Sequence, residues 1–312
     1  MLRRSAAPIV FAIFAAGCTS TTAPVETTTA SQPTSSQTET TETAPAEFDV
    51  LAFGDAADCR TPSENVAKLV TETPGEVLIV GDIAYPVGSK ANIDDCFSPL
   101  YDSTLDRLHA VPGDNDYKTD DATPFFDKLG ADRAGQSGQG WWAFTREAWQ
   151  IIGINSECSR VNCGPKSDQY AFIAEQLEAE PDACRLVIWH KPRFTSSSNY
   201  SGLKNMGDLY QLLYDNGADI LVVGNSHHYE RFEPLGPDGT PDADGIANFT
   251  VGTGGAPYTE FGEPLPGSAV RDNETRGVVK FTLSPNGYAW EFLSVGDGAL
   301  QDSGIADCHN RS

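Results

Sequence analysis

Basic residues are scarce in this sequence. Across 312 residues, 21 Lys and Arg stand against 44 Asp and Glu, for a formal net charge of −23. A chain this acidic is not expected to bind nucleic acid, because phosphate backbones are held by clustered Lys and Arg. Long apolar runs are also missing. The only extended one, residues 6–16, falls short of the roughly 20 residues that span a bilayer, so no integral membrane domain is expected. There is no internal repeat and no Cys-x-x-Cys pair, which argues against a repeat array and a thiolate zinc site. Residues 19–46 have no aromatic residue, no Lys and no Arg, and consist almost wholly of Thr, Ser, Ala, Pro, Gln and Glu. Such a segment buries too little apolar surface to fold. Core material is plentiful elsewhere: 15 Phe, 10 Tyr and 5 Trp within a 39% apolar composition.

Residues 1–17 read as an export signal, with Met-Leu-Arg-Arg, an apolar stretch and then small residues. The junction Ala15-Ala16-Gly17-Cys18 resembles the lipobox of bacterial lipoproteins, which implies a diacylated Cys18 as the mature N-terminus. Ordinary cleavage is the alternative. A lone Cys in a Thr/Ser tract favours the lipid. Residues 18–46 then form a tether, and residues 47–312 one globular unit facing the periplasm or the exterior. Six Cys remain, namely Cys59, Cys96, Cys158, Cys163, Cys184 and Cys308. An even count in an exported domain implies two or three disulfides, with Cys158–Cys163 the safest local pair.

Short apolar runs read as strands buried on both faces: Val50–Phe53, Val77–Val80, Leu186–Trp189 and Ile220–Val223. Helical patterns separate them. Thr61-Pro62-Ser63-Glu64 looks like an N-cap with Pro at the first helical position, and Pro74-Gly75 ends that helix. Ser167 would cap a helix carrying Tyr170, Ile173 and Leu177. Leu209, Leu212 and Leu213 fit another, closed by Gly217. Residues 141–155 read as two antiparallel strands. Val278–Leu283 and Tyr288–Val295 flank the turn Pro285-Asn286-Gly287 as a hairpin. These elements predict an α/β fold of two stacked mixed sheets flanked by helices.

Ligands gather at the carboxyl ends of strands in open α/β sheets. After Val50–Phe53 comes Gly54-Asp55. After Val77–Val80 comes Gly81-Asp82-Ile83-Ala84-Tyr85. After the run 108–111 comes Pro112-Gly113-Asp114-Asn115-Asp116. His190 closes Leu186–Trp189, and Gly224-Asn225-Ser226-His227-His228 follows Ile220–Val223. Each of these strand ends delivers Asp, Asn or His. Oxygen ligands with imidazole suit first-row metal ions. A single Gly-Asp after a strand is usually just a turn, so the weight lies in the recurrence. His109 and His309 lack such a setting and read as structural.

With Trp189-His190-Lys191-Pro192 and His227-His228-Tyr229-Glu230-Arg231, these segments resemble the calcineurin-like metallophosphoesterases, specifically the purple acid phosphatase branch, over roughly residues 48–295. Gly252-Thr253-Gly254-Gly255 is similar to a glycine turn of that family, although a bend beside a strand is its plainer reading. The resemblance implies a four-layer αββα sandwich and two metal ions, iron with zinc, manganese or a second iron. Asp55, His227 and Tyr85 would hold the first metal. Asp82 would bridge both, and Asp114 and His190 would hold the second. A hydroxide between the metals would attack phosphorus in line.

The chain departs from the family pattern twice near the centre. Gly-Asn-His becomes Gly113-Asp114-Asn115. Asp114 then takes a ligand position and Asn115 replaces the catalytic His; a one-residue shift would make Asn115 the ligand instead. Gly-His-x-His becomes Gly224-Asn225-Ser226-His227, so Asn225 replaces an imidazole ligand. His228 is adjacent and is the candidate to compensate for the missing catalytic His. The expected function is a monomeric, lipid-anchored metallophosphatase acting on small phosphate monoesters. The alternatives are a phosphodiesterase or nucleotidase on the same site, or a degenerate domain that binds metal or phosphate without turnover.

Overall fold

The computed structural model describes residues 46–296 and 300–309. The expected signal peptide, the lipidated Cys18 and all of the tether except Ala46 lie outside the described residues. The described chain contains thirteen strands. In order they are β1 (Phe48–Phe53), β2 (Glu76–Ile79), β3 (Leu108–Ala110), β4 (Trp142–Arg146), β5 (Trp149–Gly153), β6 (Cys184–Ile188), β7 (Ile220–Val223), β8 (Tyr229–Phe232), β9 (Ala247–Val251), β10 (Ser268–Asp272), β11 (Gly277–Ser284), β12 (Gly287–Ser294) and β13 (Ser303–Asp307).

Two mixed sheets form, with strand orders β13-β12-β11-β1-β2-β3 and β10-β8-β9-β7-β6-β5-β4. In the first, β1 runs parallel to β2 and antiparallel to β11, so that Val50 faces both Glu76 and Phe281. In the second, β5, β6, β7 and β9 are mutually parallel neighbours. Side-chain alternation assigns each face. Leu186 and Ile188 of β6, and Ile220 and Val222 of β7, join Val50 and Phe281 in the core between the sheets. Their neighbours Val187, Leu221 and Val223 point the other way, onto Ile173 and Leu177 of the helix Asp168–Ala179 and Leu209 and Leu213 of the helix Gly207–Asp215. Burial on both faces explains why these strands read as continuous apolar runs.

Ser167 caps its helix as expected, its hydroxyl accepting the Tyr170 amide at 3.1 Å. Gly217 closes the helix Gly207–Asp215 with φ 64°. The late hairpin has the expected register, Ser284 opposite Gly287. Thr61 differs from expectation. The helix begins at Ser63, and the Thr61 hydroxyl instead donates to the Gly255 carbonyl at 2.6 Å. A long-range acceptor outcompetes the local cap.

All six Cys of the domain are paired: Cys59–Cys96, Cys158–Cys163 and Cys184–Cys308. Three disulfides fit an oxidising compartment rather than the cytoplasm. Among the described residues no helix is long and apolar enough to cross a membrane. Trp142 is core, its indole N–H donating to the Ala110 carbonyl at 2.8 Å. His109 packs against Phe144 and Trp142, with ring centroids 4.6 and 5.2 Å away, and burial lowers its pKa to about 4. His309 lies 3.1 Å from Asp219. Both serve the framework, as expected.

Asp302, just before β13, ties the two sheets together. Its carboxylate accepts two bonds from Arg231 of β8, at 2.7 and 2.9 Å, and one from the Tyr229 hydroxyl at 2.6 Å. Burial raises the Asp302 pKa, but the Arg231 and Tyr229 hydrogen bonds outweigh it and hold it below the usual value. A carboxylate depressed by folding stabilises the protein above its unfolded pKa, about 4, and loses that contribution as pH falls through the folded value. Asp302→Ala is therefore expected to cost about 3 kcal/mol at neutral pH. Urea unfolding checks this, and the gap between parent and variant should narrow on acidification.

Candidate metal centre

The loops after β1, β2 and β3 of one sheet meet those after β6 and β7 of the other. The chain turns sharply to get there. Asp55, Asp82 and Asn225 have φ of 58°, 55° and 61°, each directly after a Gly. Asn and Asp tolerate this left-handed region better than other non-Gly residues, because their short polar side chains bond locally. That limits what can replace a ligand there, and Asn225 fits. Gly81 precedes Asp82 at φ 93°, and a Cβ on it would collide with the His190 ring. Asp116 locks the arrangement. Its buried carboxylate accepts the backbone N–H groups of Asp82 and Gly113, both at 2.9 Å, and of Ile83 at 3.2 Å, fastening the loop after β2 to the loop after β3. The sequence motif contains Asp116 but gives no hint of this clamp.

Four of the expected ligands converge closely. The Tyr85 phenol oxygen lies 2.6 Å from Asp55 Oδ1, 2.8 Å from Asp82 Oδ2 and 3.1 Å from His227 Nε2. His227 Nε2 is 3.2 Å from Asp55 Oδ1. On the other side of Asp82, His190 Nε2 stands 3.6 Å from Asp82 Oδ1 and 3.5 Å from Asp114 Oδ1. Ligand atoms of Asp55, Asp82 and His190 all lie within 4.8 Å of one another. Asp82 thus sits between the two groups. Asn225 is buried and donates its backbone N–H to Asp55 Oδ2 at 2.9 Å.

The donor chemistry fits cations. His190 Nδ1 is 2.8 Å from the Val80 carbonyl, and His227 Nδ1 is 2.8 Å from the Pro257 carbonyl. A carbonyl only accepts, so each Nδ1 carries the hydrogen and each Nε2 is turned to the cluster, the usual way a protein orients a ligating imidazole. His190 Nε2 is buried and has no hydrogen-bond partner. Two carboxylates and a phenol share one phenolic proton, so acceptors outnumber donors. The field is cation-seeking. Burial disfavours charged imidazole, yet Asp82 and its neighbours raise the His190 pKa well above its ordinary value, and Asp55 raises that of His227. Burial likewise raises Asp82, with Asp114 and Asp55 adding to it against His190. Asp55 goes the other way: burial would raise it, but His227 brings it down.

Asp114 and Asn115 both reach the second half of the cluster. Asn115 donates its backbone N–H to Asp82 Oδ1 at 2.8 Å, and its side-chain amide N–H to Asp82 Oδ2. Asp114 approaches His190 instead. Both residues of the two alternative alignments thus lie at the cluster, Asp114 beside His190 and Asn115 beside Asp82. His228 is not brought in. It is fully buried, its ring lies 4.2 Å from Phe261, and Nδ1 faces Thr259. Burial lowers its pKa to about 3, so it stays neutral. The chain bends at residues 225–228 and turns the His228 ring toward Phe261, away from the cluster, so the catalytic role expected of His228 has no geometry to support it. The turn at 252–255 is structural, with Ala256 donating to the Asp55 carbonyl and Gly254 to that of Gly54.

Three nearby residues were not expected. The Tyr200 ring lies 5.9 Å from that of His227, tilted by 51°, and burial with Asp55 raises its phenol to about 12. Lys191 lies 3.8 Å from Asp114, and Lys118 lies 3.9 Å from the other Asp114 oxygen. Lys191 belongs to the Trp-His-Lys-Pro segment and could have been noticed there. The other two carry no sequence signal.

Two mixed sheets flanked by helices, with acidic and imidazole donors at their facing strand ends, form an α/β fold that matches that of a purple acid phosphatase. The comparisons with known proteins agree. The purple acid phosphatase PPD1 from yellow lupin (Lupinus luteus) seeds superposes with a TM-score of 0.73 and 20% identity over 84% of this chain and 54% of that one. GAP50, the anchor in the inner membrane complex of Plasmodium, gives 0.63 and 16% identity over 84% and 89%. In sequence, the chain is 32% identical over 94 residues to purple acid phosphatase 18 of Arabidopsis thaliana, covering 28% of this chain and 21% of that protein. It is 29% identical over 138 residues to an acid phosphatase of Aspergillus ficuum, covering 38% and 22%. The chain therefore spans about a fifth of the length of these curated relatives. No family model matches it.

Proposed function

We propose that this chain is a metal-dependent phosphatase that hydrolyses small phosphate monoesters outside the cytoplasm. The observation that carries the reading is the convergence of Tyr85, Asp55, Asp82 and His227 within 3.2 Å contacts, with His190 and Asp114 on the far side of Asp82. Asp55, Tyr85 and His227 would hold one metal, His190 and Asp114 the other, and Asp82 both. Bound there, metal ions supply the charge that activates water and neutralises phosphoryl oxygens. The remaining work belongs to the chain. Val80 and Pro257 fix the imidazoles, Asp116 fixes the loops, and Asn115 supplies an amide donor beside Asp82. An amide donates a hydrogen bond but no proton, so Asn115 is a contact and not a general acid. Three disulfides and the Ala-Ala-Gly-Cys18 junction support an exported protein anchored by lipid.

Hydrolysis of p-nitrophenyl phosphate and a panel of monoesters and diesters, with iron, zinc or manganese added and with a strong chelator, tests the reading. Monoester turnover abolished by the chelator is expected. Faster turnover of diesters would make it a phosphodiesterase. Metal binding without turnover of any ester would favour the non-catalytic reading, which the Asn115 and Asn225 replacements motivate.

Tyr85 also bears on metal identity. A phenolate is a hard anionic donor that suits ferric iron, and charge transfer between them absorbs visible light. Iron-loaded protein is expected to be coloured, and Tyr85→Phe to lose the band. A colourless iron-loaded protein, or a band unchanged in the variant, removes Tyr85 from the ligand set.

A further inference from the structure

The motif's catalytic imidazole is missing at position 115, and no other His converges on the Asn115 side of the centre apart from His190, which faces Asp82 and Asp114. A protein of net charge −23 must nevertheless hold a phosphate anion next to Asp55, Asp82 and Asp114. The structure shows where local positive charge comes from. Lys118 lies on the short turn Asp116–Lys118, three residues after Asn115. Its ammonium group donates to Asn115 Oδ1 and stands 3.9 Å from Asp114 Oδ2. This contact also fixes the Asn115 amide. With Oδ1 occupied by a donor, the NH2 end turns to Asp82 Oδ2. Lys191, across Asp114, is already paired with the buried Glu157 at 2.7 Å, and its charge is largely spent. Lys118 has only a neutral amide acceptor and a distant carboxylate, and its side chain is half exposed at 50%. It can swing to an incoming anion without breaking a close ion pair.

We infer that Lys118 is the substrate-phosphate contact of this chain, acting with the Asn115 amide in place of the imidazole that the motif lacks. The inference rests on the phosphatase reading and adds a residue to it. A flexible ammonium suits the task because it acts as a point charge toward phosphate.

Inorganic phosphate titrated by calorimetry into metal-loaded parent, Lys118→Met and Lys118→Arg proteins tests it, with bound metal counted in each. Lys118→Met should weaken phosphate binding by about tenfold or more, the usual size of a lost charge-assisted contact. KM for p-nitrophenyl phosphate should rise in parallel, metal content should hold, and Lys118→Arg should recover most of the loss. Lys68→Met, on the exposed Lys68–Glu72 pair far along the helix Ser63–Glu72, should change neither. Parent-like phosphate affinity in Lys118→Met overturns the inference. So does a loss of bound metal that Arg fails to restore, since the lysine would then be serving Asn115 alone. A parent protein that binds no phosphate overturns it too. A parent that binds phosphate and hydrolyses no ester refutes the phosphatase reading, and the Met-to-parent binding ratio still decides the contact.

Discussion

Asp82→Ala should abolish activity toward p-nitrophenyl phosphate, by about 10³-fold or more, and release most of the bound metal. Asp82 is where the two halves of the centre meet. One oxygen lies 2.8 Å from the Tyr85 phenol, and the other is 3.6 Å from His190 and accepts the Asn115 backbone N–H. Asp55 comes within 4.8 Å of His190, but Asp82 makes the closer contacts to both groups. Removing it leaves two half-sites with unpaired donors and fewer negative charges to hold a cation. Asn115→Ala should behave differently. It removes a donor beside Asp82 and should lower the rate while leaving metal content close to that of the parent. Metal analysis alongside kinetics separates the two cases. An Asp82→Ala protein as fast as the parent would refute the two-metal reading outright.

Removing the Cys184–Cys308 bridge should produce the largest stability loss of the three disulfides. The residues it joins are 124 apart in sequence, against 37 for Cys59–Cys96 and 5 for Cys158–Cys163. In the chain-entropy account, a bridge restrains the unfolded chain in proportion to the logarithm of the loop it closes. The three contributions come to about 5, about 4 and about 2 kcal/mol. Against a typical total of about 5–15 kcal/mol, the first is a large fraction. The double variant Cys184→Ser/Cys308→Ser should show the lowest denaturant midpoint of three such pairs. Equal midpoints for all three would mean that residual structure in the unfolded chain, not loop length, sets their value.

Much of the centre was legible because its residues follow one rule: a buried strand ends, a Gly turns the chain, and a polar side chain follows. Asp55, Asp82 and Asn225 obey it to the point of sharing one backbone conformation. The apolar runs at Leu186–Ile188 and Ile220–Val223 likewise announced strands covered on both faces. What stayed hidden depends on partners far away in the chain. Nothing near Cys184 indicates Cys308. Nothing around Tyr200 in sequence places it beside His227. The strand Tyr229–Phe232 overlaps the His-x-Tyr-Glu-Arg motif, which hides it, whereas Ala247–Val251 does carry an apolar alternation, Ala-Asn-Phe-Thr-Val, that is short and flanked by loop residues. His228 was misjudged because being next to a ligand in sequence says nothing of which way a side chain faces.

The donors of the centre come from both sheets, Asp55, Asp82, Tyr85 and Asp114 from one and His190 and His227 from the other. A cation held between them is therefore a cross-link, and unlike a disulfide its strength varies with supply. By mass action, an ion present at 100 times its dissociation constant adds about 2.7 kcal/mol to the folded state, more than the loop-entropy value of the Cys158–Cys163 bridge. On the proposed function, scarcity of metal would act on this protein twice, once on its chemistry and once on how long the domain survives proteases.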